Sequence, residues 1–260
     1  MFYESKIKAG LDTVVFGRKE IFIFKETDST NDRAFNYAEK SSPEGTIVIA
    51  ESQNSGKGRH GRKWISVPGS SISLSIILRP RIQLAEAPGL TLVLAVALSD
   101  TLHGFNVHNH RIKWPNDILI NNKKISGILT EMKAADGEIL FVIAGTGINI
   151  GPVSGLLPEN LKETATSIFD ETGIMIDRTD FLRHFLYNLE SRYNQFLQSG
   201  LTGLLKVWEE NSDIKGRTVS AIKDRKPVKG KVLHINNDGS LTLETDSGPV
   251  IINSGEISIH

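Results

Sequence analysis

The sequence predicts an α+β fold: a mixed, largely antiparallel sheet packed with helices, followed by a small C-terminal β-barrel. Three observations carry that prediction. Short apolar or alternating runs bounded by turn residues recur from Ile21 to Ile150. Two longer stretches, around Leu90–Leu98 and Phe181–Leu197, repeat apolar residues at three- and four-residue steps. From Ile214 onward the pattern becomes short β segments separated by turn signals. The boundary falls at Asn211-Ser212-Asp213, giving one large domain over residues 1–212 and a small one over residues 213–260.

Residues 1–20 carry no pattern. Ile21-Phe22-Ile23-Phe24 is a strand that runs into the polar cluster Lys25–Asp32. Ser29 or Thr30 caps a helix from Asn31 to about Lys40. A plain N-cap is the simpler reading of this cluster, and the alternative is that these hydroxyls and the Asn31 amide point into a ligand pocket at that strand–helix junction. Thr46–Ala50 is a buried strand, β-branched and uncharged. Ile72, Leu74, Ile76 and Leu78 form one apolar strand face with Ser71, Ser73 and Ser75 opposite, the alternation of an antiparallel sheet with one buried face. Leu90–Leu98 belongs to a long core helix, punctuated by Pro88 and Gly104. That run is too short to span a bilayer.

Between Arg111 and Ile150 the pattern is a series of strands. Pro115 interrupts ladder pairing after Lys113. Asn121-Asn122 fits a tight hairpin because Asn tolerates positive φ, and Asp136-Gly137 turns the next pair. Gly145-Thr146-Gly147 permits close approach of a ligand or another strand. After a loop-rich stretch a short helix begins at Ala165–Ile168. The Phe181–Leu197 stripe is core, Gly200 stops it, and Leu201–Glu210 forms a further short helix.

The composition narrows the function. Lys and Arg number 30, Asp and Glu 30, which argues against a dedicated nucleic-acid binder. Cysteine is absent, so disulfides and thiolate metal sites are excluded. With no basic-then-apolar start, a cytoplasmic protein is the expectation.

The densest chemistry lies in Gln53–Trp64, Q-N-S-G-K-G-R-H-G-R-K-W. Three glycines alternate with Lys57, Arg59, His60, Arg62 and Lys63. Glycines let backbone N–H groups approach an anion, and the cations neutralise it. Gly56-x-Gly58-x-x-Gly61 matches the dinucleotide fingerprint formally, but a strand rather than a helix follows. Arg62-Lys63 after Gly61 rules out a P-loop. A solvated basic loop is the bland alternative. Lys113, Asn116, Asp117 and Lys124 gather at strand ends and on one hairpin. Asp117 is either a turn cap or a holder of magnesium or a nucleotide hydroxyl.

These residues resemble a known family, the biotin–protein ligases. G-K-G-R-H-G-R-K-W is similar to that family's G-R-G-R-x-G-R-x-W loop. K-W-P-N-D (Lys113–Asp117) followed by K-K-I-S-G-I-L (Lys123–Leu129) resembles its second signature. D-S-T-N, G-x-G-I-N and the closing S-G-E-I resemble its other landmarks, in order over residues 20 to 260. Lys57 stands where the family often has Arg, and His60 where a basic residue is common. No helix-turn-helix precedes residue 20, so the chain resembles the monofunctional type without a DNA-binding domain.

The resemblance implies a class II synthetase-like catalytic domain and an SH3-like barrel. It implies attack of the biotin carboxylate on the α-phosphorus of ATP, giving biotinyl-5′-AMP, and then transfer of biotin to a lysine. Biotin and ATP are substrates, Mg²⁺ an activator, with no tightly bound prosthetic group. The acceptor is a biotin carboxyl carrier protein; neither DNA nor a membrane is expected as partner, and a homodimer is left open. Ser29, Thr30, Asn31, Gln53, Lys57, Gly58, Arg59, Lys124 and Gly127 correspond to biotin-binding positions. Arg59, His60, Arg62, Trp64, Lys113, Asn116, Asp117 and Asn149 correspond to ATP-binding ones, with Asp117 also the candidate magnesium ligand. Arg59 and Lys124 are the expected catalytic residues. The competing reading is a lipoate or octanoate ligase or transferase of the same fold.

Overall fold

Apolar strands linked by tight turns build a seven-stranded sheet in the computed structural model, which describes residues 1–223, 226–253, 255 and 257–259. After helix α1 (Glu4–Ala9), strand β1 (Ile21–Thr27) passes through helix α2 (Thr30–Glu39) to β2 (Ile47–Gln53). That crossover makes β1 and β2 parallel. β3 (Ser71–Leu78) returns antiparallel, and helix α3 (Gly89–Gly104) carries the chain to the far edge. There β4 (His110–Lys113), β5 (Asp117–Ile120), β6 (Lys123–Ala135) and β7 (Glu138–Asn149) follow as an antiparallel meander. The sheet order is β1-β2-β3-β7-β6-β5-β4. The Asn pair turns as expected, with φ of 49° at Asn121 and 66° at Asn122.

α3 and α5 (Arg178–Ser199) cover one face of this sheet, with the short α4 (Ile168–Thr172) just before α5 and α6 (Thr202–Glu210) after it. α2 covers only part of the opposite face, where Ala34 and Ala38 pack on Val48, Ile77, Phe141 and Ile143. The expectation that β3 buries a single face is corrected. All eight of its residues are buried, because β3 lies inside the sheet and its serine side is roofed over. Ser71 Oγ donates to Asn149 Oδ1 (2.9 Å), Ser73 Oγ shares a hydrogen bond with Ser66 Oγ (2.8 Å), and Ser75 Oγ reaches Asn31 Oδ1 (2.6 Å).

Helix ends follow local chemistry. Ser29 is the N-cap of α2 by backbone, but its side chain makes no capping bond. α5 starts at Arg178 because the Asp177 carboxylate accepts the N–H groups of Thr179 and Asp180. Leu197, assigned to the apolar stripe of that helix, is exposed, whereas Glu190 is buried and accepts N–H bonds from Val14, Val15 and Phe16. With the turn that precedes it, α3 reaches 21 apolar-rich residues (Leu84–Gly104), long enough by length and composition to cross a membrane, where the Leu90–Leu98 run alone is not. Its side chains are instead core of this domain.

The tail forms an antiparallel sheet of β8 (Thr218–Lys223), β9 (Lys226–Ile235), β10 (Leu241–Thr245), β11 (Gly248–Ile252) and β12 (Ser258–Ile259). Its order is β11-β10-β9-β8-β12, and no pairing among the described residues closes the ladder into a barrel. Of the closing S-G-E-I motif, Ser254 and Glu256 lie outside the described residues. The small sheet shares one apolar cluster with α3 and the main sheet. Trp114 Nε1 donates to Gly239 O (2.9 Å), joining the β4–β5 turn to the β9–β10 turn.

Two buried titratable groups contribute to the acid response of the fold. His110 lies against Ser99 Oγ and Val107 O (both 2.7 Å), and burial pushes its pKa down to about 4. Burial pushes the Glu51 carboxyl up, but the Arg178 guanidinium and the Phe2 N–H outweigh it and hold Glu51 below its ordinary value. Both folded-state pKa values are depressed, so both contributions are complete above the unfolded-state values and disappear as pH falls through the folded ones. His110 alone should remove about 3 kcal/mol of unfolding free energy between pH 6.5 and pH 4. In urea titrations His110→Gln should flatten that decline; a variant losing stability as steeply as the parent would refute the assignment.

Candidate active site

The part of the sheet face that α2 leaves uncovered forms a cavity of about 450 Å³. Its floor is the backbone of β6 and β7, where Gly127 and Gly147 are paired neighbours and Gly145 follows. Side chains there would collide with what lies above. A Cβ on Gly145 would meet Asn31 Oδ1 at 2.0 Å, and one on Gly147 would meet the Trp64 ring at 2.2 Å. The close approach expected of Gly145-Thr146-Gly147 is therefore made by the Trp64 indole. Its Nε1 is buried with no partner among the described residues, a donor that a bound ligand's acceptor would satisfy.

One wall is a chain of polar contacts between α2, β2 and β3. Thr30 N and Oγ1 donate to Gln53 Oε1 (2.7 and 3.1 Å), and Ser75 Oγ also reaches Thr30 Oγ1 (2.8 Å). Asn31 Nδ2 donates to Glu131 Oε2 (2.7 Å). Ser29, Thr30 and Asn31 are each at least 95% buried. Thr30, Asn31 and Gln53, each bonded to a neighbour, form a shaped polar surface.

The glycine loop crosses above the floor. Gly58 N donates to Arg62 O (2.7 Å), and the Lys57 and Lys63 backbones form a bridge, so the basic segment is a small hairpin. His60 sits at its tip with φ 56°, exposed and away from the cavity lining. The structure thus separates His60 from the other assigned ATP positions. Lys57 borders the cavity, but its ammonium contacts the Asp32 carboxylate and lies 3.8 Å from Glu131 Oε1. In this conformation it is not presented to a phosphate, contrary to expectation. Arg59 Nη1 donates to Asn116 Oδ1 (3.2 Å) and to Gly255 O, between the last two strands of the C-terminal domain (3.3 Å).

The opposite end holds the second signature. Lys124 Nζ lies 2.6 Å from Asp117 Oδ1, in an ion contact too bent for an aligned hydrogen bond. Gly127 leaves room for that lysine, since a Cβ there would come within 2.8 Å of Lys124 Nζ. Asn116 Nδ2 holds Ile128 O (2.9 Å), and Asn149 is fully engaged by Ser71 Oγ and Thr166 O. Lys113 completes this rim. Sequence reasoning missed the segment that covers Lys124: Lys124 N donates to Thr164 O (2.8 Å) and Thr166 N to Lys124 O (2.9 Å). Leu157, Leu161 and Ala165 bring apolar surface to the cavity from that loop. The four-residue spacing of those three was its only signal. Glu131 and Asp32 were also missed, being lone acids without motif context.

Six cationic side chains line the cavity (Lys57, Arg59, Arg62, Lys63, Lys113 and Lys124) against two carboxylates, Asp117 and Glu163. The whole chain carries no net charge, so this is local segregation. Chemically, the cavity suits an anionic ligand with an extended apolar or amide-bearing part along the Thr30–Gln53 wall. Among the described residues no cluster of three or more His, Cys, Asp or Glu could hold a resident metal.

Comparison with known proteins agrees with this chemistry. Residues 23–149 match the biotin/lipoate A/B protein ligase family, and residues 215–259 match the biotin protein ligase C terminal domain. A bifunctional ligase/repressor BirA of Bacillus spizizenii is 40% identical over 98% of this chain and 78% of its own. A biotin–[acetyl-CoA-carboxylase] ligase of Paracoccus denitrificans is 30% identical over 89% of this chain and 97% of its own. The structure of the biotin protein ligase from Aquifex aeolicus in complex with biotin and ATP superimposes with a TM-score of 0.78 at 30% identity, covering 93% of this chain and 99% of that one.

The glycine floor is open to a direct test. Gly147→Val should displace Trp64, shift its fluorescence to the red and make the 57–63 hairpin more sensitive to trypsin. Unchanged emission and cleavage would show that Trp64 does not rest on that floor.

Proposed function

The chain belongs to the biotin protein ligases, and on that footing we propose that its cavity joins biotin to ATP and passes the biotinyl group to a lysine of a carboxylase's carrier domain. One observation carries the reading: a cavity floored by bare backbone, crossed by a basic hairpin and closed at one end by Lys124. The match of residues 215–259 to a biotin-specific C-terminal domain favours biotin over lipoate or octanoate, which the broader family description also admits.

In this reading the polar wall receives the fused rings of biotin, with Thr30, Asn31 and Gln53 facing the cyclic urea. The valeryl chain runs along the glycine floor toward Lys124. There Lys124 and Arg59 neutralise the carboxylate and the α-phosphate as they approach, and stabilise the charge that grows on the phosphoryl oxygens. No protein nucleophile is required, because the biotin carboxylate itself attacks and pyrophosphate leaves. Positioning and electrostatics supply the acceleration. In the second step the acceptor amine attacks the biotinyl carbonyl of the mixed anhydride, and AMP leaves. The hairpin with Trp64 beneath it excludes water from that anhydride between the steps.

Asp117 orients Lys124 by direct ion contact. Asp117 and Glu163 are the carboxylates of the lining, and Mg²⁺ takes one or two carboxylates together with phosphate oxygens. Magnesium therefore fits as an ion that arrives with ATP, held partly by Asp117, where it would offset phosphate charge. We place the activity in the cytoplasm, where ATP and carboxylases meet.

ATP–pyrophosphate exchange should depend on biotin. Exchange without biotin, or supported only by lipoate, would overturn the reading. Lys124→Ala should slow exchange by about 100-fold or more, the scale of losing one charged transition-state donor; a parental rate would remove Lys124 from the mechanism. Arg59→Gly should speed escape of the adenylate into solution by roughly ten-fold, the scale of one charged hydrogen bond. Parental retention in a release assay would deny Arg59 its clamping role.

A further inference from the structure

The hairpin is held at its root by groups that the two-step chemistry does not use. Lys57 Nζ contacts the Asp32 carboxylate on α2 and lies 3.8 Å from Glu131 Oε1 on β6. The other oxygen of Glu131 accepts the Asn31 amide (2.7 Å), and Asn31 Oδ1 accepts Ser75 Oγ. Glu131 therefore touches the covering loop with one oxygen and the pocket wall with the other. It lies beyond the residues that β5 pairs with, on a stretch of β6 joined only to β7. Seven residues separate it from Lys124 along the strand, roughly 23 Å of extended chain. It cannot serve the reacting phosphate.

We infer that Glu131 is a positioning residue that couples the ligand-facing Asn31 amide to closure of the glycine loop through Lys57, with Asp32 as the second half of the latch. The inference rests on the ligase reading for its ligand, but not for the latch itself. Charge supports it: the hydrogen bond to Asp32, with Glu131 and Asp28 nearby, raises the Lys57 pKa, so the ammonium persists across the physiological range. Geometry supports it as well. If a ligand in the pocket fixes the Asn31 amide, it fixes the carboxylate bonded to that amide, and an ordered carboxylate holds the lysine at lower entropic cost. Binding at the wall is thereby read at the loop, without contact between ligand and latch.

The test uses the full chain and two substitutions. Glu131→Gln keeps an acceptor for Asn31 but removes the charge; Lys57→Met removes the ammonium. Both should raise release of biotinyl-adenylate, formed from biotin and MgATP without acceptor, by about three- to ten-fold, the range of a partly exposed ion pair. The double variant should release no faster than Lys57→Met alone, since that substitution already removes both contacts of the ammonium. Salt at 1 M should bring the parent to the rate of Lys57→Met and leave Lys57→Met unchanged, because that variant has lost both ion contacts. A merely structural role would lower the urea midpoint and leave the salt dependence in place. Release at the parental rate, or additive effects, would overturn the latch. If the parent makes no adenylate, the ligase reading fails separately, and trypsin cleavage of the 57–63 hairpin in the unliganded chain still decides. Faster cleavage in both variants at low salt supports the latch, and equal cleavage refutes it.

Discussion

The site depends on three neighbouring positions in the sheet that carry no side chain. Gly127, Gly145 and Gly147 lie together on neighbouring strands of a central sheet, where a β-branched residue would pack better and raise strand stability. Their emptiness admits the Asn31 amide, the Trp64 ring and the Lys124 side chain, each placed where a single Cβ would lie 2.0 to 2.8 Å away. The sheet face is thus divided. Under α2 it is conventional core, with Phe141 and Ile143 packed on Ala34 and Ala38. Beyond α2 the glycines of the same strands leave space, and the basic hairpin with Trp64 lies over it.

That division fixes how the chemistry is arranged. Burying cations in a core would be prohibitive, whereas a cavity closed by a polar hairpin lets them be hydrated when open and desolvated when a ligand enters. Lys124 is restrained by Asp117, Lys57 by Asp32 and Glu131, and Arg59 by Asn116 and the Gly255 carbonyl. Each cation begins with partners, so its position is set before substrate arrives. The contact of Arg59 with Gly255, like that of Trp114 with Gly239, makes the loops of the C-terminal domain part of the site's scaffold.

Much of this was legible in the chain because local chemistry decided it. Periodicity places α3 and α5, and the Asn121-Asn122 and Asp136-Gly137 turns place the meander. The loop and K-W-P-N-D motifs place the basic hairpin and the Lys124 rim. What was not legible depends on tertiary partners. The serine face of β3 looks solvent-facing until α2 and Ser66 are seen above it. His60 and Arg59 are adjacent in a basic run, yet one sits at an exposed tip and the other joins Asn116 to the C-terminal domain. Lys57 looks like a phosphate ligand until Asp32 and Glu131, far apart in sequence, are seen to hold it. The segment covering Lys124 pairs through backbone atoms, which leave no trace in residue identity.

The serine face of β3 also limits how this protein can be made more robust. Serine is a poor choice for a central strand, and valine or isoleucine at Ser73 or Ser75 would be an obvious stabilising exchange by strand propensity. Yet Ser75 joins Thr30 to Asn31, and Ser73 joins the loop through Ser66. Each substitution that strengthened the strand would also release part of the ligand wall or fill the space beside it. Thermal hardening of this strand and fidelity of the pocket therefore pull in opposite directions, and variants selected only for melting temperature would drift toward well-folded chains with a blunted site.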